Sequence, residues 1–230
     1  MPTVSRRTMI ASAALGGLAT GARAQLVYKR SDWKREEFEQ LIHASGRIRQ
    51  VYDVTAINEG RFLNNIKNSF NGLEFGFGFA PDQIRIVAAL HGAANMVNYD
   101  DSMWEKYRLG EWLKVIDPIT NQPATKNIFY PSKLSNDASS SSENPSDEHS
   151  SFQDRSVQGL QRRGVHFLSC HTATEEQAKI IVKRLQLQST PEEVAKDLQA
   201  HAVPGVLIVP SMVASVALLQ IDGRYSYITV

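Results

Sequence analysis

The chain has a single cysteine, Cys170, in 230 residues, so it cannot close a disulfide within itself. Charge of one sign is also missing. There are 25 Lys and Arg against 24 Asp and Glu, a formal net charge of +1. No stretch gathers the basic residues into a block, so a nucleic-acid partner is not expected. The sequence holds no HExxH or CxxC metal spacing, no P-loop, no GxGxxG and no GxSxG elbow. Phe75-Gly76-Phe77-Gly78-Phe79 is glycine-punctuated, but it precedes an apolar strand instead of following one, and so is no phosphate loop. Beyond the N-terminus there is no apolar run long enough to cross a bilayer.

The N-terminus reads MPTVSRRTMIASAALGGLATGARAQ. Arg6 and Arg7 make a positive start, Thr8–Ala19 is small and weakly apolar, and Ala22-Arg23-Ala24 fits a small-x-small cleavage site. The Ser-Arg-Arg-x-Met-Ile arrangement resembles a bacterial twin-arginine signal, which exports folded cargo. The expectation is a signal peptide over 1–24 and one domain over 25–230 that works in the periplasm, with no membrane partner once the signal is removed. An ordinary secretion signal or a retained anchor is the alternative.

After that segment, periodicity alternates between helix and strand. Ser31–Ser45 places Phe38, Leu41 and Ile42 on a helical stripe, with Gly46 as its stop, and Arg47–Ala56 reads as a strand. Asn58 is expected to cap a helix carrying Phe62, Ile66 and Phe70, ended by Asn71-Gly72. Ile84–Gly92 is a near-continuous apolar strand of the kind buried on both faces of a parallel sheet. A helix over Asp100–Val115 is expected to break at Gly110. Residues 117–154 include NDASSSSENPSDEHSS and read as a solvated, mobile insertion, poor in apolar side chains. Then follow a short helix at Ser156–Arg163, a strand at Val165–Ser169 and a helix from Thr174. Thr190-Pro191-Glu192-Glu193 is a capping box; the strand VLIV, a helix from Met212 and the strand YSYITV complete the chain. This alternation predicts an α/β fold: a mainly parallel sheet with helices on both faces, three-layered and flavodoxin- or Rossmann-like.

In such folds ligands gather beyond the carboxyl ends of the strands. Three ends are legible: His91 through Asn95, Cys170-His171-Thr172, and Pro210-Ser211. Thr172 with Glu175, or Thr174 with Gln177, makes a helix-start box just after Cys170, where unpaired amides and the helix dipole favour a thiolate. His91 and His171 are candidates to move its proton. Asn95, Thr172 and Ser211 are candidate ligand contacts, and Trp104 and Tyr107 candidate pocket walls, the alternative for these aromatics being core and rim. For Cys170 the alternative is a small buried hydrophobe.

The pieces LQRRGVHFLSCHTA and VPGVLIVPSMVASVALLQIDGRYSYI resemble the DsrE/DsrF-like family of sulfur-relay proteins. Pro210, Ser211, Leu219, Gln220, Gly223, Tyr225, Tyr227 and Ile228 occupy that family's tail positions, with Met212 at a frequent glycine. FGFGFAPDQIRIVAALHGAANMV and DDSMWEKYRLGEWLKVIDPITNQPATKN are similar to its twin-arginine-exported branch. The resemblance implies a compact parallel α/β fold, a homo-oligomer and a persulfide sulfur carried on Cys170, exchanged with a thiol or sulfane-sulfur partner, protein or small molecule. It calls for no separate cofactor and no metal. His171-Thr172 departs from the small residues usual after that cysteine. The competing reading is a non-catalytic module binding a small ligand, metal or haem between His91, Cys170 and Trp104, or an oligomeric interaction protein.

Overall fold

The computed structural model describes residues 27–134 and 142–230; the signal expected over 1–24 and the centre of the serine-rich run lie outside them. Five strands carry the architecture: β1 (Ile48–Val54), β2 (Ile84–Leu90), β3 (Val165–Cys170), β4 (Val206–Val209) and β5 (Ser226–Thr229). They form one all-parallel sheet in the order β4-β3-β2-β1-β5. The α/β fold with helices on both faces is therefore present. Every strand from β1 to β4 is added on the same side, so right-handed crossovers put their helices on one face. The return to β5, beside β1, puts its helix on the other.

The first face is covered by α2 (Arg61–Asn71), α5 (Val157–Arg162), α6 (His171–Leu185) and α7 (Pro191–Ala200). They pack on Tyr52, Val54, Ile86, Ala88, Leu90 and Phe167. The second face is covered by α1 (Arg35–His43) and α8 (Met212–Ile221), on Val51, Val87, Ala89, Leu168 and Val209. Alternate residues of one strand thus feed two separate cores, which is why β2 is apolar almost throughout. Among the described residues no helix is long and apolar enough to cross a membrane.

Several local expectations change in the structure. Asn58 does not cap α2. It lies in a tight turn with φ 43°, followed by Glu59 at 56° and Gly60, the N-cap, at 75°. Three successive left-handed residues wind the chain off β1, and the two that are not glycine each cost about 1–2 kcal/mol. After Asn71 the chain does not stop at Gly72 but continues as a π-helical turn through Gly76. The expected 100–115 helix is two helices, α3 (Asp101–Lys106) and α4 (Leu109–Leu113). They part at Arg108, φ 48°, and not at Gly110. Gly110 stays helical, and its missing side chain admits the backbone of Ala124; a Cβ there would overlap the Ala124 carbonyl oxygen. The Thr190 capping box forms as expected, with Thr190 Oγ1 accepting from the Glu193 amide at 3.2 Å.

The 117–154 stretch is anchored in places, while residues 118–122 are exposed as expected. Asn127, 1% exposed, donates from Nδ2 to the carbonyls of Val97 (2.8 Å) and Tyr99 (2.7 Å). Phe129 packs at a tilt against Trp104 in the core. At the far end Asn71 donates to the Phe152 carbonyl at 2.9 Å, and Arg163 reaches Asn71, Glu74 and Phe152. Few apolar side chains are present, but buried amides take their place by capturing backbone carbonyls that would otherwise be unpaired.

Replacing Gly110 by Ala should destabilise the protein by about 1–3 kcal/mol, because two backbones must separate. Thr190→Ala, which removes only a cap, should cost about 1 kcal/mol. Urea unfolding of both variants checks the pair; a Gly110→Ala protein as stable as the parent would contradict the close approach.

Candidate functional site

Cys170 is the last residue of β3 and also the N-cap of α6, which begins three residues earlier than its threonine signals suggest. The cap is the sulfur itself: Sγ accepts from the Ala173 amide at 3.5 Å. A second amide, that of Met212 at the start of α8, donates to the same sulfur at 3.3 Å. The Thr172 hydroxyl lies 3.1 Å from it. Two helices of fifteen and ten residues therefore point their N-termini at one atom. The residue is only 3% exposed. The expected Thr172–Glu175 and Thr174–Gln177 boxes are replaced by this sulfur cap.

The backbone of Cys170 is held from the other face by Asn95, which is fully buried. Asn95 Oδ1 accepts from the Cys170 amide at 3.0 Å and from Ser169 Oγ at 2.9 Å. Its Nδ2 is shared among Thr174 Oγ1 (3.0 Å), Gln177 Oε1 (3.2 Å), Tyr99 Oη (3.3 Å) and the Cys170 carbonyl (3.4 Å). Thr174 in turn donates to that carbonyl at 2.9 Å, and Gln177 donates to the Gly92 carbonyl. Asn95 is therefore a clamp on the strand end and not the ligand contact expected. Tyr99, 2.6 Å from Thr174 Oγ1, completes the network; its burial, offset in part by hydrogen bonds from its neighbours, raises its phenol to about 12.

His91 lies one residue past the end of β2. The β2–β3 register ends at Leu90 opposite Ser169, so the next step sets His91 beside Cys170, on strands spaced about 4.8 Å. His91 Nε2 is 2.7 Å from Asp53 Oδ1, and Tyr227 donates to Asp53 Oδ2 at 2.5 Å. Asp53 lies near the end of β1 and Tyr227 belongs to β5, both on the α8 face. In the tautomer with the proton on Nε2, that nitrogen donates to Asp53 and Nδ1 is the ring's acceptor. The hydrogen bond to Asp53, slight burial and the carboxylate charge raise the Tyr227 phenol, keeping it a donor at neutral pH. Gly92 must be glycine here: φ is 53° and a Cβ would meet the Thr55 carbonyl at 2.7 Å.

His171 leaves this group. It is buried at the first turn of α6, stacked on Tyr28 at 3.6 Å, and its Nδ1 accepts from Gln199 Nε2 at 2.6 Å. Its other nitrogen lies 3.6 Å from Glu175 Oε1. Those contacts tie α6, α7 and the N-terminal segment together. Trp104 is fully buried on the α2 face, donating to the Met96 carbonyl at 3.2 Å. Tyr107 donates to Asp197 at 2.5 Å on the same face. Neither walls a cleft with Cys170, because the sheet lies between them. Ser211 precedes α8 without capping it by its side chain. The structure thus brings Thr172 and the α8 start to Cys170, and joins His91, at the neighbouring strand end, to Asp53 and Tyr227. Tyr227 was marked only as a tail position of the resembling family, and nothing marked Asp53, since an aspartate inside a strand acquires meaning only from its neighbours across the sheet. Among the described residues no three His, Cys, Asp or Glu side chains group as a metal site.

No family model and no curated protein matches the chain. A solved structure similar to it is the protein of unknown function MTH1491 from Methanobacterium thermoautotrophicum. The two are 15% identical, with 80% of this chain and 99% of that one covered and a TM-score of 0.38.

The Tyr99 phenol gives a pH signature. A folded value of about 12 against an ordinary 10 means its contribution is complete below pH 10 and lost as pH rises toward 12. That loss amounts to about 3 kcal/mol. Tyr99→Phe should cost about 1 kcal/mol at pH 7 for the bond to Thr174 and should flatten the alkaline decline. Unfolding free energies measured across that range test it; identical slopes in both proteins would refute the assignment.

Proposed function

We propose that the protein is a DsrE-like sulfur carrier of the periplasm, with Cys170 as the acceptor of a persulfide sulfur. The observation that carries this reading is the convergence of the Ala173 and Met212 amides on Sγ. A structural cysteine needs one cap contact at most. An atom that must hold negative charge as thiolate, and again as persulfide, benefits from donors contributed by two separate helices.

In the proposed step the Cys170 thiol gives its proton to His91, and the sulfur attacks the outer sulfur of a donor R–S–SH. A new S–S bond forms as the donor's S–S bond breaks. The departing R–S⁻ takes the proton back from His91 and leaves as R–SH, with Cys170–S–SH as product. Delivery to an acceptor thiol is the same exchange in reverse. Asp53 acts as a positioning residue by fixing the His91 tautomer, and Tyr227 fixes Asp53. Because Cys170 is 3% exposed, a small persulfide or polysulfide is the donor class that fits best.

A partner surface is proposed as well. Val213, Ala217 and Ile221 recur every four residues along α8 and face outward, with Val213 74% and Ile221 75% exposed. Leu218, also exposed, widens the stripe. Such an apolar surface on an otherwise packed helix supports a homo-oligomer joined through α8. Its first turn is the one that caps the sulfur.

Intact-mass analysis after exposure to inorganic polysulfide should show one added sulfur on the parent protein and none on Cys170→Ala. His91→Gln should load more slowly, by about tenfold, and reach the same endpoint. A Cys170→Ala protein that still gains the sulfur would end the carrier reading. Light scattering should show the parent as an oligomer and the Val213→Glu, Ile221→Glu double variant as a monomer. A monomeric parent would remove the α8 interface.

A further inference from the structure

A cleft of about 840 Å³ opens on the face opposite the sulfur, between the turn that follows β1, the segment after α4 and the anchored parts of the 117–154 insertion. That volume falls in the range of small-molecule sites. About half of its lining is apolar, built from Ile57, Leu63, Val115, Ile128 and Phe129. Its cations are Arg61, Lys114, Lys133 and Arg155, and none of them pairs with a carboxylate among the described residues. Of the three lining carboxylates, Asp154 is already bonded to Ser132 Oγ at 2.6 Å and to the Ser156 amide at 2.8 Å. Those bonds leave its charge in place, so three carboxylates, Glu59, Glu148 and Asp154, stand against four cations, an excess of one positive charge.

We infer that this cleft binds an amphipathic organic anion, an apolar body bearing one acidic head group. The apolar walls offer burial to the body, and the cations at the rim offer charge-assisted contacts to the head. A wholly apolar ligand would not use the excess positive charge, and a small inorganic anion would not use the apolar half of the lining. The insertion gains a purpose from this assignment, since Asn127, Phe129 and Asp154 hold its described parts where they form one side of the cleft. The site is independent of the sulfur-carrier reading, because the sheet separates it from Cys170.

The test uses the full chain and two fluorescent probes with similar apolar bodies, the anionic anilinonaphthalene sulfonate and the neutral phenylnaphthylamine. The sulfonate should bind saturably at one site, more tightly than the neutral probe by about tenfold. Arg61→Gln with Arg155→Gln, both at exposed positions, should remove that preference while leaving the circular dichroism of the protein unchanged. Ile116→Trp, at a half-exposed lining position, should displace both probes. Cys170→Ala should bind the sulfonate as the parent does. Absence of saturable binding, equal affinity for the two probes, indifference to the arginine pair, or loss of binding in Cys170→Ala would each overturn the inference.

Discussion

A side-chain amide with no access to water must satisfy two N–H groups and a carbonyl from its surroundings, and Asn95 does so chiefly with the end of β3 and the start of α6. The arrangement has only one sensible orientation, because the Cys170 amide can face only the Asn95 oxygen. Once that bond is made, the Cys170 backbone is pinned, and strand alternation turns its sulfur to the opposite face. There it meets the first amide of α8. The turn that carries Asn95 is itself held by the Gln177 bond to the Gly92 carbonyl and by the left-handed glycine against Thr55. A polar network on one side of the sheet thereby sets the geometry of a sulfur on the other.

The two faces divide the labour of the molecule. The α1–α8 face is thin and carries the cysteine, the His91–Asp53–Tyr227 chain of hydrogen bonds and an outward apolar stripe. The other face is thick, because four crossover helices and the insertion all land on it. Adding β2, β3 and β4 always on the same side of β1 forces this asymmetry through the handedness of the crossovers. The proposed sulfur chemistry uses the thin face, where a partner can approach closely. The proposed anion cleft uses the thick one, where an extra layer of chain can build a wall.

The secondary structure was largely legible, and the failures share a cause. The helix from Arg61, the buried strand at Ile84 and the Thr190 box were readable from local spacing and capping chemistry alone. The break at Arg108 instead of Gly110, the sulfur cap that starts α6 early and the anchoring of 117–154 were not. Each depends on a group distant in sequence: Ala124 against Gly110, Met212 against Cys170, Val97 and Tyr99 against Asn127. Cys170 and His91 could be placed at strand ends from the sequence, and the structure has them there. Asn95 was noticed with its role mistaken, and Trp104, Tyr107 and His171 turned out to belong to packing.

By itself the sequence determined the fold class, the five strands and the absence of any internal disulfide, because periodicity and cysteine count are local or compositional properties. It also determined that one sulfur would stand at a strand end before a helix. Tertiary structure alone decided which amides aim at that sulfur, that Asp53 and Tyr227 orient His91, and that a polar insertion forms the wall of a cleft. Those are distances between residues far apart in the chain, and such distances exist only once the strands have chosen their order.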